Sequence, residues 1–352
     1  MSEYEAHVDG DAVLSALLVG DRELRAVPLP RRPIGATDVR VRVLSSGICG
    51  SDLGTYRGHH PYKHPPTVLG HELCGVVQEV GADVTTFKPG ERVTSFAFAS
   101  CTRCSACLRG DQNLCSRKEN LSAGELGGSL AQEVLLRESM VCALPAGMPD
   151  DVAVLVEPLA IAAHAASLAD LSNARVCVIG CGTIGLGSVI AACVSSARTI
   201  TGLDRGERKR QRFEAVGGDV FVDVSSQPAV NHPKLTAAEH DVVIVATSYP
   251  GVLDDALRLV RAGGVVIVVS YFPDVHTFQV NEAVAREVTI RGSALSCRSD
   301  VDTVYSWWSQ GRIDPSAIIS HRFSLSAVTE AFQLMDRGSD DLGKIIVQGK
   351  VE

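Results

Sequence analysis

No run of about 18 apolar residues occurs in the 352-residue chain, so the sequence offers no helix that would span a membrane. An excess of positive charge is also missing. Lys plus Arg number 33 against 41 Asp plus Glu, a formal charge of −8. A chain that grips the phosphate backbone of nucleic acid normally shows a basic face, and this balance argues against one. The start, Met1 to Gly10, is polar and acidic, without the basic and then apolar pattern of a secretory leader, so the cytoplasm is the expected location. Aromatic residues make up only 5%, which speaks against a large apolar pocket. Repeats and low-complexity tracts are lacking as well. What is present is ordinary globular composition, 45% apolar and 21% charged, at a length that predicts two to three domains.

The two halves of the chain differ in character. Up to about Pro158, short alternating segments such as Val39 to Leu44 and Cys74 to Val80 predict strands, and Gly and Pro recur at turn spacing. Beyond Pro158, apolar strands alternate with helices. Arg175 to Ile179, Thr199 to Leu203, Asp241 to Ala246 and Gly264 to Ser270 predict strands, and Ala160 to Leu168, Thr183 to Ser195 and Arg208 to Val216 predict helices. That alternation predicts a parallel sheet buried on both faces. It ends near Arg291. A helix over Ser326 to Met335 and a closing strand over Gly343 to Gln348 follow.

Gly180-Cys181-Gly182-Thr183-Ile184-Gly185 lies between a predicted strand and a predicted helix. A bare GxGxxG carries little, but this context makes it a dinucleotide site. The first glycine permits the tight turn, the second lets the pyrophosphate approach the backbone, and the third lets helix and strand pack closely. The phosphates then sit against the helix N-terminus. Asp204, 19 residues after Gly185, can accept hydrogen bonds from the ribose hydroxyls and would repel a 2′-phosphate, so NAD is expected over NADP. Arg205 complicates this, since an arginine there can pair with that phosphate or stack on adenine.

There are 11 cysteines, an odd number, and four of them, Cys101, Cys104, Cys107 and Cys115, fall within 15 residues. Four thiolates so spaced on a polar loop can close a tetrahedral shell around zinc, and a full shell is structural. An iron–sulfur cluster is the rival reading. A second set of potential ligands is dispersed. Cys49 lies in GICGSD, His71 and Glu72 in GHE, and Glu157 in VEPL. A thiolate, an imidazole and one or two carboxylates can hold a zinc and leave a position open, where it polarises an alcohol oxygen and lowers its pKa. Singly, each residue also reads as an ordinary core thiol, strand-end histidine or surface carboxylate.

Taken together, GICGSD, GHE, GERV, the four-cysteine lobe, EPLA, VIGCGTIG and the terminal GKIIV, in that order, resemble the zinc-dependent medium-chain dehydrogenase/reductase family, alcohol dehydrogenase type, from about Ala16 to Gln348. The resemblance implies an α/β chain. A GroES-like β-rich catalytic domain would span 1–159, with its zinc lobe at 96–120. A Rossmann NAD-binding domain, a doubly wound parallel sheet, would span 160–294, and the catalytic domain would finish over 295–352. It implies Cys49, His71 and Glu157 as catalytic zinc ligands, as in polyol and threonine dehydrogenases, with Glu72 as an alternate ligand. Asp52 would orient His71, and Ser51 would pass on the substrate proton. Two zinc ions per chain, a small alcohol or ketone substrate and a homodimer or homotetramer follow from the same resemblance.

Two positions depart from the family. Many relatives place a histidine five residues after the first cysteine, where this chain has Gly54, with His59, His60 and His64 nearby. Sorbitol-type enzymes carry an arginine where a rough alignment puts Leu295. The expected reaction is hydride transfer between NAD and a secondary alcohol, on a polyol, sugar-derived or cyclitol substrate. The alternatives are a redox-neutral reaction with NAD retained, such as epimerisation, and a zinc-binding relative without turnover.

Overall fold

The structure, a computed structural model, describes residues 12–123, 126–225, 235, 239–272, 274–339 and 341–349. Contacts divide the chain into two compact units, one made of Met1–Glu157 with His321–Glu352, the other of Pro158–Ser320.

The first unit is β-rich. Ala12–Gly20 and Glu23–Pro30 form an antiparallel hairpin. Its main sheet centres on the long strand Asp38–Ile48, which pairs antiparallel with Glu72–Val80, Glu133–Arg137 and, from the far end of the chain, Lys344–Gln348. Alternation of apolar side chains puts Val39, Val41 and Val43 into a core with Leu73, Val77, Val93, Leu136 and Met140. A second core joins Leu18 and Ile48 to Phe332 and Ile345, so the C-terminal residues complete the unit rather than decorate it.

In the second unit, six parallel strands among the described residues lie in the order Val220–Asp223, Thr199–Asp204, Arg175–Ile179, His240–Val245, Val260–Val268, Thr289–Gly292. Counted along the chain this is 3-2-1-4-5-6, the doubly wound dinucleotide-binding order. The central strands are nearly continuous Val and Ile because helices cover both faces. Residues 295–320, assigned from sequence to the end of the catalytic domain, pack in this second unit. Asp300 on the helix Arg298–Ser309 holds His164 at 3.1 Å, and the short Pro315–Ile318 turn contacts the helices Thr183–Val194 and Glu207–Ala215. Among the described residues no helix is long and apolar enough to cross a membrane.

Candidate active site

The strand Asp38–Ile48 runs straight into Cys49, which caps the short helix Gly50–Tyr56. Asp52, fully buried, serves both that helix and its neighbour. Its Oδ2 accepts the Cys49 N–H at 3.1 Å, and its Oδ1 accepts the Gly70 N–H at 3.4 Å. Oδ1 also stands 3.3 Å from His71 Nδ1, at ion-pair distance but short of a well-aligned hydrogen bond. One carboxylate therefore fixes the relative placement of Cys49 and His71, although 22 positions separate them in sequence. Burial alone would raise the Asp52 carboxyl. The His71 ring, the Lys63 charge and the Cys49 N–H outweigh it and hold the group well below the ordinary range. On His71 burial opposes a charged ring, and the Asp52 charge outweighs it, so the ring holds a proton well above its usual range. With Nδ1 turned to Asp52, Nε2 is left to bind a cation in place of that proton.

The ligand atoms of Cys49, His71 and Glu72 all lie within 4.8 Å of one another. Glu72 is not a free carboxylate. Both its oxygens are 2.6 Å from Lys344 Nζ, which also donates to the Ile48 carbonyl at 3.1 Å. The pair is almost sealed, at 1% and 2% exposure. Glu157, read from sequence as a ligand, is buried but is not within 4.8 Å of all three. Burial pushes its carboxyl up to about 7, with the Glu72 charge adding and the His71 charge opposing. The donor set fits a cation. A thiol, an imidazole and the Glu72 carboxylate converge, Lys344 pairs with that carboxylate, and the buried Glu157 stands outside the cluster. Lys344 is the residue sequence reading missed. Its signal was a lysine opening an otherwise apolar closing strand.

Ser51 lies on the first turn of the helix beyond Cys49 and is half-buried. A Cβ built on Gly54 would meet nothing within 4 Å, so the place of the family histidine is open space. His59 and His64 are exposed. His60 accepts the backbone N–H groups of Lys63 (3.2 Å) and Tyr62 (3.4 Å) at Nδ1, which ties it to its own loop. Burial first, then the Lys63 charge, push its pKa down to about 4.

The four sulfurs of Cys101, Cys104, Cys107 and Cys115 also lie within 4.8 Å of one another, with no disulfide among them. Cys104 Sγ is 3.5 Å from Cys107 Sγ and 3.9 Å from Cys115 Sγ. Four sulfurs on a zinc at about 2.3 Å stand about 3.8 Å apart, so this spacing fits a tetrahedral shell. The loop favours thiolate at Cys104, while burial and the neighbouring sulfurs push Cys107 up to about 11. Backbone N–H groups of Cys107 and Ser116 bring Cys104 down to about 5, and Cys115 Sγ accepts N–H groups from Cys101 and Arg117.

In the second unit the three glycines of the predicted loop behave differently. Gly180 has φ 94, and a Cβ there would press on Thr247 at 2.8 Å. A Cβ on Gly185 would collide with the Gly180 carbonyl, whereas one on Gly182 meets nothing. The turn and the helix–strand contact thus use the outer glycines, and Gly182 leaves the space before the helix Thr183–Val194 clear, with Thr183 and Ile184 half-buried beside it. Asp204 ends its strand with Oδ2 accepting the Cys181 N–H and Oδ1 the Arg205 N–H, each at 2.7 Å, while Arg205 itself is exposed. A carboxylate has about four acceptor positions, so two remain. Leu295 sits in left-handed backbone at φ 56, uncommon for a bulky side chain.

Known proteins resemble this chain along most of its length. Residues 35–146 match the family described as alcohol dehydrogenase GroES-like domain, and residues 183–310 match zinc-binding dehydrogenase. Sorbitol dehydrogenase of Arabidopsis thaliana is 30% identical, over 97% of this chain and 96% of its own. A zinc-binding dehydrogenase from Sinorhizobium meliloti 1021, solved bound to NADP, superposes with a TM-score of 0.88 at 27% identity, covering 96% of this chain and 99% of its own. A short chain alcohol dehydrogenase (rspB) from Escherichia coli CFT073, complexed with NADH, gives the same score and identity, over 96% and 100%. Fold, site and relatives define an oxidoreductase of the dehydrogenase class. The chain belongs to the zinc-dependent medium-chain dehydrogenase/reductase family.

Proposed function

We propose that the protein is a zinc- and NAD-dependent dehydrogenase that oxidises a secondary alcohol of a polyol, sugar-derived or cyclitol substrate. The observation that carries this reading is the Cys49–His71–Glu72 cluster with Asp52 behind it and Glu157 close by. Cys49, His71 and Glu157 would hold a catalytic zinc, Glu72 serving as alternate ligand, and the four-cysteine lobe would hold a second. The zinc supplies a Lewis acid that acidifies the alcohol, and NAD supplies the hydride acceptor. Asp52 holds the His71 ring in one orientation, Ser51 receives the hydroxyl proton, and the space at Gly54 admits water to carry it on. A glutamate in the EPLA position and a low aromatic content suit a hydroxyl-rich substrate. Stoichiometric NADH accumulation with a panel of polyols, cyclitols, amino alcohols and simple alcohols tests the reading. Turnover of such a substrate without NADH would instead favour the redox-neutral alternative.

Asp204 underlies the expected preference for NAD. Its free acceptor positions suit a ribose diol and oppose a phosphate of about −2 charge. Asp204→Ala should weaken NAD binding and narrow the gap to NADP, since Arg205 and Arg208 are exposed nearby to pair the added phosphate. The unmodified protein binding NADP more tightly than NAD in fluorescence titration would overturn the assignment.

We expect a homodimer or homotetramer. The terminal strand Thr289–Gly292 is exposed at every residue, and the preceding helix leaves Val280 and Val284 57% and 71% exposed. An open sheet edge beside apolar side chains is a template for a second copy of the same strand. Ile290→Lys with Val284→Glu should lower the mass seen by light scattering, and an unchanged mass would place the interface elsewhere.

A further inference from the structure

Lys63 lies in the loop between the helix Gly50–Tyr56 and the strand Thr67–Val68, and it is 6% exposed. Its loop is pinned by the His60 Nδ1 contact to its own N–H. Among the described residues no carboxylate stands within 4.0 Å of its ammonium, and its Nζ makes no hydrogen bond. Its charge is felt at Asp52, His71, Glu157 and His60. It therefore sits among the elements that carry the proposed metal ligands.

The carboxylates of Asp52 and Glu72 are already committed. Asp52 spends its oxygens on Cys49, Gly70 and His71, and Lys344 holds both oxygens of Glu72. A lysine held beside the site with no carboxylate paired to its ammonium has room for an anion that arrives with a ligand. Neutral hydroxyls can accept its hydrogen bonds but cannot balance its charge.

We propose that Lys63 receives an anionic group of the substrate, so that the preferred substrate is a polyol carrying a carboxylate or a phosphate rather than a neutral alditol. The inference rests on the polyol reading and refines it. The alcohol is oxidised by transfer of its carbon-bound hydride to NAD with the hydroxyl proton leaving by way of Ser51, and the anionic group takes no part in bond making. Lysine is a compact point charge that accepts either anion without demanding bidentate geometry.

Matched substrates test it on the zinc-loaded protein: sorbitol against D-gluconate, galactitol against D-galactonate, with sorbitol 6-phosphate separating phosphate from carboxylate. At least one anionic member should show a KM about tenfold or more below its neutral partner. Lys63→Met keeps the apolar stem and should cut the ratio of anionic to neutral kcat/KM by about 10–100-fold, mostly through KM, with Lys63→Arg restoring most of it. Calorimetric binding of the same anions, without turnover, should weaken in parallel. Neutral alditols preferred by the unmodified protein, or equal losses on both classes in kcat, would overturn the proposal, the second outcome making Lys63 a structural counter-charge. Sorbitol turnover without anion preference removes this inference and leaves the proposed function standing. If no polyol of either class is oxidised, the polyol reading falls, and unchanged anion binding by Lys63→Met would then remove the lysine site as well.

Discussion

Cys49→Ala is expected to lower the zinc content from two per chain to one and to reduce turnover by about 10³-fold or more, the kinetic equivalent of about 4 kcal/mol of lost Lewis-acid stabilisation. The fold should survive. Cys49 is a helix cap whose backbone N–H, the part Asp52 uses, remains after the substitution. Its side chain is half-buried and lies outside the main apolar clusters. Cys104→Ala should act in the opposite order. The lobe around it has only a four-residue helix, a three-residue 3₁₀ turn and a two-stranded ladder, too little to order a segment without its ion. Loss of cooperative melting or of assembly should precede loss of activity there. Metal analysis with circular dichroism reads both. A Cys49→Ala protein with two zinc ions and full activity would refute the catalytic assignment.

Ser51→Ala is expected to cost about 10²–10⁴-fold in turnover, the usual scale of lost acid–base assistance. Oxidation of an alcohol leaves one proton to remove, and the family's terminal histidine is missing here. The structure bears on which substitute serves. A Cβ at Gly54 would meet no other side chain within 4 Å. His60 is tied to its loop and, with a pKa near 4, is neutral and a poor proton acceptor at working pH. Water is the natural carrier in such a gap. His59→Ala and His60→Ala should each cost far less than Ser51→Ala, and the pH–rate profile should lack a separate histidine limb. A large, pH-dependent loss in either histidine variant would make that residue the relay terminus.

Burial decided what could be read from the sequence. Arg175–Ile179 was legible to the residue because both faces of a central parallel strand are covered, which leaves an unbroken apolar run. Thr289–Gly292 belongs to the same sheet and went unseen, since an edge strand exposed at all four residues has no pattern to show. The site divides in the same way. His71 and Glu72 adjoin in one motif, and Cys49 comes with its own helix cap. Lys344 reaches Glu72 from 272 residues away, a distance that no local pattern spans. Glu157 was legible as a carboxylate in the right motif, but its placement relative to the other three donors depends on packing alone.

The order of synthesis has a consequence for metal loading. The strand Lys344–Gln348 pairs with Ser45, Ser46, Gly47 and Ile48, the residues that lead directly into Cys49. Lys344 also brings the only ammonium bonded to Glu72 among the described residues. Roughly 190 residues separate Glu157 from that strand, or about 10–40 seconds of translation. Until the strand Lys344–Gln348 has emerged from the ribosome, the Cys49 segment lacks one sheet partner and Glu72 lacks its lysine. The four cysteines of the lobe fall within one short segment, so their sulfurs need no partner from the end strand to come together. The two ligand clusters therefore mature at different times. The four sulfurs can come together early in synthesis, and the Cys49–His71–Glu72 cluster takes its final form only once the strand Lys344–Gln348 has been made.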